Sequence, residues 1–170
     1  MPSIRPTTSD DHDLIWKILK PIFRAGETYS IDPKISRTDA LEYWTGGSHN
    51  AFVAELDGEI LGTYYIRPNQ GGHGNHICNC GYMTAPAAQG RGIARAMLEH
   101  SLEIAPELGF RAMQYNFVLA NNARALDIWK RHGFVEIGRI PDAFNHPKDG
   151  FVDAHILYKL LEKNPEDRQT

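Results

Sequence analysis

MTAPAAQGRGIARAMLEHSLEIA, Met83–Ala105, is the stretch on which the fold turns. It leaves an apolar strand over Pro86, passes through QGRGIA and continues as an amphipathic helix. After Gly92 the residues Ile93, Ala94, Met97, Leu98, Ser101, Leu102 and Ala105 recur at the spacing of one helical face. Gly90 and Gly92 carry no Cβ, so the backbone can turn sharply and come close to a ligand. The first N–H groups of a helix have no partner within it, and its dipole adds partial positive charge there. A glycine turn feeding such a terminus suits a phosphate, and Arg91 and Arg95 stand beside it.

Working outward, 170 residues suit one domain with a substantial core, the last residues (162–170) being a charged, frayed tail. A hydrophobic fraction of 42% and a charged fraction of 23% are ordinary for a soluble globular chain. The net charge of −3 and the lack of a basic run argue against nucleic-acid binding. No stretch is long and apolar enough for a membrane span, and MPSIRPTTSD lacks the apolar core of a secretory signal. Two cysteines, Cys78 and Cys80, make no disulfide framework. The expectation is a cytoplasmic protein.

Before the central stretch, Ser3 to Pro6 reads as a strand. A helix follows, capped by Thr8 with Asp11, and Leu14, Ile15, Ile18, Leu19, Ile22 and Phe23 form its buried stripe. Pro21 should bend or end it. Residues 24–37 read as loop, and a short helix around Thr38 to Trp44 stops at Gly46-Gly47. Ala51 to Leu56 and Glu59 to Arg67 form a hairpin about Asp57-Gly58. His76 to Thr84 is the strand that delivers the glycine loop. After the central helix come a strand, Arg111 to Leu119, and a helix capped by Asn121-Asn122 and ended by Gly133. Ala125, Leu126, Ile128 and Trp129 face inward on it. Phe134 to Gly138 and Phe151 to Leu160 are the last strands, joined by a polar loop with Pro141 and Pro147. The order β-α-α-β-β-β-α-β-α-β-β makes an α/β (α+β) domain. Its sheet is mixed and mostly antiparallel, with about seven strands and about four helices on its faces.

With these motifs in place, the chain resembles the GCN5-related N-acetyltransferase (GNAT) superfamily. The family signature is Gln or Arg, two residues, Gly, one residue, then Gly or Ala; here it is met by Gln89, Gly92 and Ala94, with Pro86 upstream. Asn122 opening the later helix, Ala125 three residues on, and Gly133-Phe134 are similar too. CNCGYMTAPAAQGRGIARA, QYNFVLANNARALDIWKRHGF, and GRIPDAF followed by FVDAHILYKLL resemble acetyltransferases acting on L-azetidine-2-carboxylate and related proline analogues. The resemblance implies acetyl-CoA as donor and a small amino acid acetylated on its amine. Family members often dimerise through their C-terminal strands, and the run Ala154, Ile156, Leu157, Tyr158 permits a homodimer.

The resemblance also places a site. Backbone N–H groups of Gln89, Gly90, Arg91, Gly92, Ile93 and Ala94 would hold the pyrophosphate. The pantetheine arm would run along Tyr82, Met83 and Thr84, with a main-chain N–H near Met83 facing the oxyanion. Asn122 caps a helix and in the family also touches the cofactor arm. Many relatives carry a Tyr four residues before the Gly of Gly-Phe as a proton donor, but here Trp129 stands there, and an indole N–H gives up no proton at neutral pH. The strand His76 to Thr84 has no carboxylate to act as base. It has Asn79, and the next strand has Asn116; in the proline-analogue subgroup the matching residues bind and orient the substrate. An amide cannot take a proton, so these two are expected to position the acceptor while water removes its proton. Glu27, Thr28 and Tyr29 resemble a GETY stretch of the subgroup that lines the acceptor pocket. His73, His76, Cys78 and Cys80 lie close in sequence, but an extended strand spreads them too far for tetrahedral chelation, so no metal is expected. Asp153 reads as structural. Two other functions fit the same residues: acetylation of protein N-termini or lysines, and non-catalytic binding of acyl-CoA.

Overall fold

Asp57 and Gly58, both at positive φ (55° and 79°), reverse the chain between two strands as a tight hairpin turn demands. The computed structural model describes residues 1–161; the expected frayed tail (162–170) lies outside them. Seven strands, β1 (Ser3–Pro6), β2 (Asn50–Leu56), β3 (Glu59–Pro68), β4 (Ile77–Thr84), β5 (Ala112–Leu119), β6 (Val135–His146) and β7 (Gly150–Leu160), form one sheet in the order β1-β2-β3-β4-β5-β7-β6. Four helices accompany them: α1 (His12–Ala25), α2 (Arg37–Thr45), α3 (Ile93–Glu107) and α4 (Ala123–Arg131). No helix among the described residues is long and apolar enough to cross a membrane. By internal packing the chain divides into two units. One is Met1–Arg67 with Cys80–Ile104; the other is Pro68–Asn79 with the chain from Ala105.

In the first unit β1, β2 and β3 are antiparallel. Thr8 donates its N–H and hydroxyl to Asp11 (2.7 and 3.2 Å), which closes a 3-10 turn, Ser9–Asp11, leading into α1. Ile15, Ile18, Leu19 and Phe23 are buried against Ala40, Leu41 and Trp44 of α2 and Val53 of β2. Leu14, expected in that stripe, is instead 41% exposed. Pro21 neither ends α1 nor marks its boundary: it sits on the exposed face, where water can serve the carbonyl it frees, and the helix runs on to Gly26 at φ 61°. The Trp44 indole donates to the Thr63 hydroxyl (3.0 Å), which donates to the Phe52 carbonyl (2.9 Å), so a buried polar pair is satisfied within the core. Gly62 lets α3 lie close to β3. A Cβ there would fall 2.6 Å from Ile93 and 2.9 Å from Met97. Ile93, Met97, Leu98, Ser101 and Ala105 are the buried face of α3, while Ala94 is exposed.

In the second unit β5, β7 and β6 are antiparallel, and β4 pairs in parallel with β5 at Ile77↔Ala112 and Cys78↔Met113. The Asn122 side chain accepts from the Ala125 N–H (3.2 Å) and caps α4, which ends before Gly133 at φ 82°. Trp129 packs on the Tyr115 and Phe134 rings (4.8 and 6.1 Å between centres), an apolar role. The polar loop expected after Gly138 is mostly strand: β6 continues to His146. Pro141 is tolerated because β6 is the outermost strand and its register shifts between Ile140 and Phe144. Asp153 secures that bulge, accepting from Arg139 (2.6 Å) and from the Asp142 N–H (2.9 Å). Within the run named for dimerisation, Ala154 and Leu157 are fully buried. Val135, Ile137, Ile140, Phe151 and Leu160 of β6 and β7 are the exposed apolar side chains on these strands.

Candidate active site

A single 3-10 turn, Pro86–Ala88, leads from β4 into the glycine loop. Gly90 and Gly92 are both at φ 77°, and a Cβ at either would meet no atom within 4 Å. The backbone conformation, not crowding, therefore requires glycine. Of the N–H groups expected to face phosphate, two are already bonded inside the loop: Gln89 to the Pro86 carbonyl (3.3 Å) and Arg91 to the Ala88 carbonyl (3.1 Å). The first helical bond of α3 runs from Ala96 to Gly92 (3.0 Å), so Ile93 and Ala94 sit in the turn whose N–H groups have no partner within the helix. The N–H groups left without a helical partner thus lie on the helix side of the loop. Arg91 is paired with Asp57 (2.8 Å) and Arg95 with Glu99 (2.7 Å); both pairs are at the surface and cheap to open.

The upstream edge is set by strand parity. Ala85 donates its N–H to the Leu61 carbonyl of β3 (2.8 Å), so the backbone groups of Met83, two residues earlier, face β3 as well. Those of Tyr82 and Thr84 face away from it. The Met83 backbone, near which the oxyanion donor was expected, is thus directed at β3, and the Met83 side chain is core. Tyr82 is already engaged: the Tyr29 hydroxyl donates to its carbonyl (2.9 Å) and accepts from its N–H (3.1 Å). Burial raises the Tyr29 pKa, which keeps the phenol protonated. Tyr29 is held edge-on by Phe23 and Trp44, each 6.1 Å away between ring centres. The Tyr82 hydroxyl shares a 2.7 Å hydrogen bond with Ser101 of α3. Thr28 is exposed and Glu27 half-buried on the same loop, and Tyr29 reaches β4.

The two asparagines lie in the second unit and are joined by a line of amides. Asn79, buried, donates to the Gln114 carbonyl (3.0 Å), one residue past the Cys78↔Met113 pair. The Gln114 side chain donates to Asn116 Oδ1 (2.9 Å), and Asn116 Nδ2 donates to Asn69 Oδ1 (2.6 Å). Asn116 is exposed. Asn69 and Gln114 were not singled out in the sequence, where nothing local marks them.

A second group escaped sequence reading. Arg67, at the end of β3, lies over the Tyr65 and Tyr43 rings (5.3 and 5.8 Å) and donates to His49 Nε2 (3.3 Å). Tyr65 in turn packs edge-on to Trp44 (4.8 Å), continuing the ring series that begins at Tyr29. Among the described residues no three His, Cys, Asp or Glu side chains converge on a point, and Cys78 and Cys80 are buried and form no disulfide.

Residues 13–134 match the model of the acetyltransferase (GNAT) family. The chain belongs to the GNAT family. Over 148 residues it is 32% identical to the N-acetyltransferase aca1 of Schizosaccharomyces pombe, covering 77% of this chain and 71% of that one. A GNAT structure from Kribbella flavida is 35% identical and superposes with a TM-score of 0.89 over 94% of this chain and 98% of its own. The fold is shared by a GNAT phosphinothricin acetyltransferase from Sinorhizobium meliloti solved with acetyl-CoA (TM-score 0.83, 19% identity, 99% and 93% coverage). As a GNAT N-acetyltransferase, the protein has its glycine loop and α3 terminus inside the matched region, and Asn79, Asn116 and Asn122 with them.

Proposed function

We propose that this enzyme moves the acetyl group of acetyl-CoA to the amine of a small amino acid of the proline-analogue type, such as L-azetidine-2-carboxylate. The observation that carries the donor half is the succession, within one unit, of an edge whose Tyr82 and Thr84 backbone groups face away from β3 and a positive-φ glycine loop heading α3. The Gly92 to Ala94 N–H groups suit a pyrophosphate, and the Thr84 edge suits an extended, amide-bearing arm. In the reaction the amine nitrogen bonds to the thioester carbon, the C–S bond breaks, and the thiolate leaves. Trp129 is packed as an apolar wall, and no carboxylate lies on β4, so proton movement falls to water. The part left to the protein is placement, which can supply a large share of the rate.

For the acceptor, the support is Asn116: exposed, with its amide orientation fixed from both sides by Gln114 and Asn69. Its remaining N–H and lone pair can meet a carboxylate and an amine. Asn116→Ala is expected to raise the acceptor KM at least about tenfold, the value of one or two hydrogen bonds to a charged group, while leaving the KM for acetyl-CoA unchanged. Steady-state kinetics with each substrate varied in turn checks this. An unchanged acceptor KM would remove Asn116 from the site.

A further inference from the structure

An amino-acid acceptor carries a carboxylate, and neutral amides alone leave that charge without a counter-ion. Arg67 is half-buried with its guanidinium over two tyrosine rings, yet no carboxylate of the described residues lies within ion-pair distance of it. Arg5, Arg37, Arg91, Arg95, Arg131 and Arg139 each have one, and Arg24, which also lies over a ring, that of Trp16, is engaged by the Pro33 and Ile35 carbonyls. Its hydrogen-bond partner is a ring nitrogen: His49, stacked on Tyr65 (4.9 Å between centres, 14° between planes), accepts from Arg67 through Nε2. Burial, and then the guanidinium itself, lower the His49 pKa, so the imidazole is neutral and holds Arg67 by orientation without cancelling its charge. A stacked, planar guanidinium with donors to spare is built to take a carboxylate two-handed.

Its place along β3 separates it from the donor phosphates. Leu61, bonded to Ala85 at the mouth of the glycine loop, is six residues before Arg67, which is about 20 Å of strand. Between them Tyr65 packs on Gly81, where a Cβ would fall 2.7 Å from the ring. Gly81 immediately precedes Tyr82, the residue whose backbone Tyr29 holds. Arg67 therefore stands about 7 Å further along the strand from that point, on the same face as Tyr65. That is within the span of an arginine side chain plus a small amino acid.

We propose that Arg67 binds the carboxylate of the acceptor and so restricts the enzyme to amines that carry one nearby. This rests on the amino-acid reading above. The test compares L-azetidine-2-carboxylate or proline with the corresponding carboxamide, in wild type, Arg67→Gln and Arg67→Lys, by thiol release from acetyl-CoA. Wild type should prefer the acid. Arg67→Gln should lower kcat/KM for the acid roughly 10- to 100-fold, through KM, and change the carboxamide less than about threefold. Arg67→Lys should keep part of the preference, because the charge stays and the fork is lost. The KM for acetyl-CoA should not move. An equal loss on acid and carboxamide overturns the proposal. Should Arg67→Gln fail to fold, wild type alone decides it: equal kcat/KM for the acid and its carboxamide has the same force. Thiol release with peptide amines and none with free amino acids overturns the acceptor reading itself, and Arg67 with it.

Discussion

Asn79 and Asn116 carry the same amide in opposite surroundings. Asn79 is buried, and its Nδ2 takes a backbone carbonyl just where the β4–β5 pairing recorded at Cys78↔Met113 gives way. Asn116 is exposed and bonds only to other side chains. Removing the first takes a buried side chain and its hydrogen bond to the Gln114 carbonyl, so Asn79→Ala should cost about 1–3 kcal/mol of stability. Asn116→Ala should lie within about 0.5 kcal/mol of wild type while losing acceptor affinity. Urea unfolding of both variants beside their kinetics separates a structural amide from a substrate-facing one; equal stability losses would contradict the distinction. The sequence marked both residues through a family likeness. It left Arg67 unmarked, because an arginine acquires meaning here only from His49, Tyr43 and Tyr65, and nothing at position 67 itself announces those rings.

At the scale of elements, local signals were legible and long-range ones were not. The Thr8–Asp11 cap, the Asp57-Gly58 hairpin and the Asn122 cap are each decided within a few residues, and each appears as read. Pro21 does not end its helix and Pro141 does not make a loop, because the cost of each depends on what lies beside it: an exposed helix face in one case, an outer strand with a bulge in the other. Gly62 is the converse case, a glycine with no local signature whose need is set by α3 some thirty residues on. Gly62→Ala places a methyl against Ile93 and Met97 and should destabilise by about 1–3 kcal/mol, as overpacking does. The helix that heads the glycine loop would shift with it, so acetyl-CoA affinity should fall as well. Thermal denaturation with and without acetyl-CoA reads both effects, and an unchanged melting temperature would refute the close approach.

Across the first unit as a whole, Arg5 joins three elements: its guanidinium meets both Asp11 oxygens (2.8 Å each) at the start of α1 and Glu55 of β2 (2.6 Å). The hydrogen bonds from Arg5 hold the Asp11 carboxyl well below the usual carboxylate range. A depressed folded-state pKa gives stability that is complete above the unfolded value, near 3.9, and is lost as pH falls below it. Wild type should therefore lose urea resistance more steeply than Asp11→Asn between about pH 5 and pH 2, and parallel slopes would contradict this. Larger than any such strut is the choice of acceptor, which we propose is a free amino acid. Thiol release from acetyl-CoA, measured across free amino acids, simple amines and short peptides, tests it most directly. The claim predicts release with proline analogues well above amines and peptides; release confined to peptides, or acetyl-CoA binding with no release at all, would contradict it.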